Sequence, residues 1–287
     1  MRKVKQMASD IQDLVKKQAF DEVRQYLFDY LFYSPKFPTR TTQGDLLASA
    51  RQIELSVFDL YFDHKELLFN VFSWGYGEEI ILLTHGWASK AADFYYLIER
   101  LLSNPRYTVI AFDAPGNGSS AGRLTNLLLY VESIHQIVVH FGTPRILIGH
   151  SLGAMANIVA YEGLVLKPTM LISLAPLIDL ENYFMAQMEM VHVPIDVQAE
   201  FFSDFKKAFN IEVNYFNLNK LYDYVCENHW LFYDRHDEIS PFDLMRDFLH
   251  KHSDIKAKAY DGIGHHQVIR SERSVDDVLA LINKGAL

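Results

Sequence analysis

Between residues 79 and 174 the chain alternates short apolar runs with segments of helical period, and this alternation leaves few folds open to it. The runs 79–84, 107–112, 145–148 and 169–174 are apolar on consecutive positions, as strands covered on both faces require. The intervening segments 91–102, 127–141 and 154–163 read as helices; in the second, Tyr130, Ile134, Ile137 and Val138 form one apolar face. Strands alternating with helices of this length imply a parallel sheet with right-handed crossovers. Two further strands, 53–62 and 67–74, precede the alternation. A strand at 230–233, a helix at 241–250, a strand at 255–260 and a helix at 275–282 complete it.

Two segments fall outside this pattern. Residues 177–228 hold no clear core strand but carry Phe184, Met185, Met188, Met190, Phe201, Phe202, Phe205 and Phe209. They read as a helical cap inserted between two core strands, whose Met and Phe side chains either line an acyl pocket or pack the cap down. Residues 5–32 read as one amphipathic helix carrying Met7, Ile11, Leu14, Val15, Val23 and Leu27. Its polar face is mixed in sign, which favours docking on the main domain over a membrane surface. Pro35 and Pro38 close it, and 36–46 reads as a loop. The expected organisation is an N-terminal helical extension at 1–50, an α/β core at 51–176 and 229–287, and the cap at 177–228.

Chemistry on an open parallel sheet gathers beyond the carboxyl ends of the strands. Those ends carry His85-Gly86-Trp87, Asp113-Ala-Pro-Gly116-Asn-Gly118-Ser119, Gly149-His150-Ser151-Leu152-Gly153, Arg235-His236-Asp237-Glu238 and Gly262-Ile-Gly264-His265-His266. A serine, an aspartate and a histidine therefore converge, in the chain order Ser, Asp, His. A tight strand-to-helix turn strains the serine backbone, needs small neighbours on both sides, and presents the hydroxyl above a helix N-terminus. The acid position is open to Asp237, Asp234 or Glu238, and the histidine position to His265 or His266.

On HGW, FDAPGNGSS, GHSLG, DEISP and GIGHH, in this order and spacing over residues 53–287, the chain resembles the α/β-hydrolase superfamily, in its serine-nucleophile, esterase-like branch. The resemblance implies the α/β-hydrolase fold, a mostly parallel sheet flanked by helices, with the cap and the N-terminal helix added. It implies Ser151 as nucleophile, His265 as general base and Asp237 as the orienting acid, with Asp179 the alternative. It also implies an oxyanion hole from the backbone N–H groups of Trp87 and Leu152, with the Trp87 indole walling the pocket. The expected reaction is cleavage of a small to medium, partly apolar carboxylic ester through an acyl-enzyme. Acyl transfer, thioester, amide or carbon–carbon cleavage by the same triad remain open, as does a non-catalytic binding protein on this fold.

Composition narrows the partners. A formal net charge of -9 disfavours nucleic acid, whose binding rests on phosphate neutralisation. The single cysteine, Cys226, excludes an intrachain disulfide and reads as a buried apolar residue. No HExxH or paired-cysteine spacing points to a metal, so neither metal nor cofactor is expected. No signal-peptide pattern and no membrane-length apolar run occur, so a cytoplasmic protein without stable membrane insertion is expected. The N-terminal helix leaves a homodimer open.

Overall fold

The computed structural model describes residues 2–222, 226 and 228–284. Residues 223–225 and 227 of the expected insertion lie outside the described residues. The chain opens with α1 (Arg2–Lys16), α2 (Phe20–Phe32) and α3 (Thr41–Ala48). The sheet begins with β1 (Arg51–Phe58), β2 (Glu66–Trp74) and β3 (Glu79–Thr84). It continues through α4 (Tyr95–Leu101), β4 (Tyr107–Phe112), α5 (Leu127–Phe141), β5 (Ile146–His150), α6 (Leu152–Gly163) and β6 (Met170–Leu174). The insertion supplies α7 (Leu180–Met190), α8 (Ile195–Phe209) and α9 (Leu218–Leu221). Then β7 (His229–Asp234), α10 (Phe242–Lys251), β8 (Lys256–Tyr260) and α11 (Glu272–Lys284) close the fold.

Eight strands form one sheet in the order β1-β2-β4-β3-β5-β6-β7-β8. Pairing is antiparallel for β1–β2 and β2–β4 and parallel from β4 to β8. The mostly parallel α/β sheet expected from the alternation is thus the observed one. The register is set by fully apolar central strands: every residue of β5 and β6 is buried, so neither face could turn to water. Helices cover both faces, and the buried side chains divide into one cluster on each side. Among the described residues no helix is long and apolar enough to cross a membrane. Cys226 is a buried free thiol.

Three expectations are corrected. Residues 5–32 are not one helix. Gln18 adopts a left-handed backbone (φ 57°) that ends α1, and Ala19 N–H donates to Leu14 O at 3.1 Å. The chain folds back there, so that Ile11 of α1 and Val23 and Leu27 of α2 enter one core. The expected loop at 36–46 contains the start of α3, because Gln43 Oε1 accepts the Arg40 N–H at 3.0 Å and Leu46 is buried against the sheet. The first strand ends at Phe58 instead of running to residue 62. Asp59 turns the chain by accepting the N–H groups of Tyr61, Phe62 and Asp63 at 2.8–3.0 Å.

Several aromatic residues of the insertion pack it onto the rest of the chain. Phe184, Phe201 and Phe205 are fully buried. The Phe32 ring of α2 lies 5.5 Å from Phe184 and 5.3 Å from Phe209, edge-on to the first. Arg24 of α2 reaches Glu200 at 2.8 Å and Asp204 at 3.6 Å on α8. The insertion and the N-terminal helices therefore form one packed layer. Phe32→Ala is expected to lower unfolding free energy by about 3–5 kcal/mol, the range for truncating a large core aromatic, measured by urea denaturation.

Candidate active site

The site grows from the end of β5. Ser151 follows His150 directly and takes φ 52° and ψ −120°, a conformation that L-residues avoid unless the surroundings impose it. The imposition comes from crowding. A methyl group on Gly149 would lie 2.5 Å from Ala154 Cα, and one on Gly153 would overlap the carbonyl oxygens of Thr84 and His85. The two glycines let α6 turn back against β5 and let β3 run alongside. Ser151 N–H donates to Leu174 O at 3.0 Å, and its carbonyl accepts from Ala154 and Leu177.

His265 and Asp237 meet beside this turn. His265 Nδ1 lies 2.7 Å from Asp237 Oδ2, with both residues buried. The second oxygen, Oδ1, accepts the N–H groups of Ile239 and Ser240 at 2.8 and 2.9 Å. In this pair the carboxylate accepts, so His265 Nδ1 carries the donated proton and Nε2 is the ring nitrogen left outside the pair. Ser151 and His265 line one cavity of about 450 Å³.

The competing residues have other tasks. Asp234 accepts from the backbone N–H of His236 at 2.7 Å, of Gly262 at 3.1 Å, of Gly264 at 2.9 Å and of Ile263. Burial works to raise its pKa, but these backbone donors outweigh that and hold it below the ordinary aspartate value. Asp234 thus anchors the loop that carries His265. Asp179 caps α7 through Asn182 N–H and accepts from Asn217 Nδ2 at 2.6 Å, inside the insertion. Glu238 is exposed. His266 is exposed and takes no part in the Asp237 pair, although it also lines the cavity.

The remaining residues brace the site. His85 is fully buried; its Nε2 accepts Ala114 N–H at 3.0 Å, which leaves Nδ1–H to donate to Gly86 O at 2.7 Å. Burial lowers its pKa, so the ring is a neutral clamp between two loops. Asp113 accepts from Ala91 N–H at 2.7 Å and from the N–H and hydroxyl of Ser119. Gly86 lets its loop approach the turn: a Cβ there would stand 3.0 Å from Ser151 Cβ. Among the described residues, the backbone N–H groups of Trp87 and Leu152 donate to no other backbone carbonyl. Trp87 is among the residues lining the cavity, and its indole donates to Tyr33 O at 3.2 Å.

His150, His265 and His266 form the one trio of possible metal ligands among the described residues, with ligand atoms within 4.8 Å of one another. Two ring nitrogens there are already committed, since His150 Nε2 donates to the His265 carbonyl at 3.0 Å. Burial, reinforced by the neighbouring His265, holds His150 well below the ordinary histidine pKa, so it stays neutral. Sequence reasoning missed the part of the cavity lining that Phe37, Pro38, Arg40, Gln43 and Lys90 supply. The only signal was a lysine inside the otherwise uncharged run WASKAA.

Residues 81–260 match the profile of the alpha/beta hydrolase family. No curated protein sequence matches the chain. Among solved structures, an esterase of Pyrococcus furiosus superposes with a TM-score of 0.61 at 17% identity, covering 88% of this chain and 97% of that one. A carboxylesterase structure from Nitrososphaera gargenis gives 0.57 at 16% identity, covering 81% and 100%. The thioesterase domain of the curacin biosynthetic pathway gives 0.53 at 16% identity, covering 81% and 99%.

The two neighbouring aspartates separate in a stability measurement. Asp234→Ala strips four backbone donors of their acceptor, at about 1–3 kcal/mol for each that stays buried. A lowered melting temperature by calorimetry is expected, well below that of Asp237→Asn, which keeps a side-chain acceptor.

Proposed function

The chain belongs to the alpha/beta hydrolase family, and we propose that it is a serine hydrolase that cleaves carboxylic esters through an acyl-enzyme on Ser151. The observation that carries this reading is the 2.7 Å Asp237–His265 hydrogen bond, made beside a serine in a strained left-handed turn that opens on the same cavity.

His265 Nε2 takes the hydroxyl proton as Ser151 Oγ attacks the ester carbonyl. Negative charge develops on the carbonyl oxygen, where the N–H groups of Leu152 and Trp87 receive it. Each such donor is worth about a hundred- to a thousandfold in rate. The tetrahedral adduct collapses, the C–O bond breaks, and His265 returns the proton to the departing alcohol. Water then attacks the acyl-enzyme, giving one proton to His265, and collapse frees the acid and restores Ser151. Asp237 holds the imidazole tautomer and stabilises its charged form throughout. The cavity volume falls in the range of small-molecule sites, which supports a small to medium substrate.

A fluorophosphonate tests the machinery without knowledge of the substrate. Stoichiometric adduct on Ser151 is expected by intact mass and peptide mapping, with none on Ser151→Ala. Asp237→Asn is expected to lower kcat on an activated ester by about 10⁴-fold. A folded protein that takes no adduct refutes the reading.

A further inference from the structure

One part of the lining of the Ser151 cavity is rich in cations. It carries Arg40, Lys90 and Arg270 against one carboxylate, Asp93. Arg270 cancels Asp93 at 2.8 Å, and Asp93 also accepts from Gln43 Nε2 at 3.0 Å. Arg40 and Lys90 remain, and among the described residues neither has an acidic partner within ion-pair distance. Two cations without an ion-pair contact at one cavity stand out in a chain whose net charge is -9.

Lys90 is the more telling of the two because it is only 6% exposed. Its ammonium donates to the carbonyls of Phe37 at 3.0 Å and Pro38 at 2.8 Å, so dipoles meet its charge at contact while Asp93 and Asp113 act from beyond ion-pair distance. Burial lowers its pKa, and Asp93 and Asp113 only partly offset that. A buried cation without a contacting counter-ion is expensive to keep. An aliphatic side chain could fill the volume but would not hold the 37–38 carbonyls. Those contacts fix the stretch of chain that leads to Arg40, an exposed residue on the lining of the same cavity.

We propose that this part of the lining binds an anionic group on the substrate, a carboxylate or phosphate at the end of the ester remote from the scissile bond. Arg40 contacts it directly, as the planar fork of guanidinium suits either oxyanion. Lys90, its donors already committed, contributes field and holds Arg40 in place. The favoured substrates are acidic esters such as half-esters of dicarboxylic acids. This assignment rests on the ester-hydrolase reading of the same cavity.

The test compares p-nitrophenyl hemiglutarate with its neutral counterpart p-nitrophenyl valerate at low ionic strength. Wild type is expected to favour the acidic ester in kcat/KM by about tenfold or more, the preference shrinking in high salt as screening grows. Arg40→Gln should bring the acidic-to-neutral ratio close to one, acting through KM, and Arg40→Glu should invert it. A wild-type ratio at or below one, or a ratio that Arg40→Gln leaves unchanged, overturns the proposal. Glutarate and inorganic phosphate binding to Ser151→Ala, followed by calorimetry, separates carboxylate from phosphate and needs no turnover. Binding of either anion that Arg40→Gln abolishes in the same background upholds the anion site even if no ester is cleaved. No binding of either anion overturns it, even if neutral esters are cleaved well.

Discussion

The backbone of Ser151 is the constraint around which the site is arranged. A non-glycine residue at φ 52° costs about 1–3 kcal/mol and persists only where neighbours over-determine it. Here the neighbours are strands. Parallel pairing sets Thr84 of β3 and Ser173 of β6 opposite Gly149, and the carbonyls at the end of β3 crowd the position of Gly153. The sheet order β3-β5-β6 therefore holds the turn from both sides. The same closeness brings the His85–Trp87 loop next to the serine. Strain at one residue and the position of a donor loop follow from one packing event.

The two acidic residues after β7 show a division of labour that follows from geometry. Asp234, at the end of the strand, faces backbone donors from two loops and is wholly occupied. Asp237, three residues on, satisfies one oxygen with the local turn and leaves the other for His265. The first carboxylate makes the loop, and the second uses it. Because Asp234 fixes Gly262, Ile263 and Gly264, the histidine that follows is placed by backbone hydrogen bonds before its own side chain makes any.

Periodicity made the sheet legible because central strands buried on both faces leave an unbroken apolar signature. The serine turn was legible for a different reason, since its glycines answer a steric demand that few other residues meet. What stayed hidden depended on tertiary partners. An amphipathic stripe reads the same whether its helix is straight or folded back at Gln18. Prolines announce a loop but not the helix that Gln43 starts. The choice between Asp234 and Asp237 turns on which backbone N–H groups lie opposite, information no local spacing carries. Whether Phe184, Phe205 and Phe209 would line a ligand site or a packing layer was undetermined until Phe32, far away in sequence, filled the space between them.

That filling shifts the source of selectivity. With Phe184, Phe201, Phe205 and Phe209 packed around α2, the serine cavity takes part of its lining from the segment before α3, tethered by Lys90. The N-terminal helices reach the chemistry through a second route as well. The Trp87 indole donates to Tyr33 O at the end of α2, and its ring stands 6.4 Å from Phe32. Trp87 is also the residue whose backbone N–H faces the developing oxyanion in the proposed mechanism. Its side chain is held by α2 and its backbone by the end of β3, so a shift of the N-terminal layer would move the donor as well as the lining. In the proposed mechanism, residues before the first strand, outside the span that matches the family, thereby bear on both how the substrate is chosen and how its transition state is met.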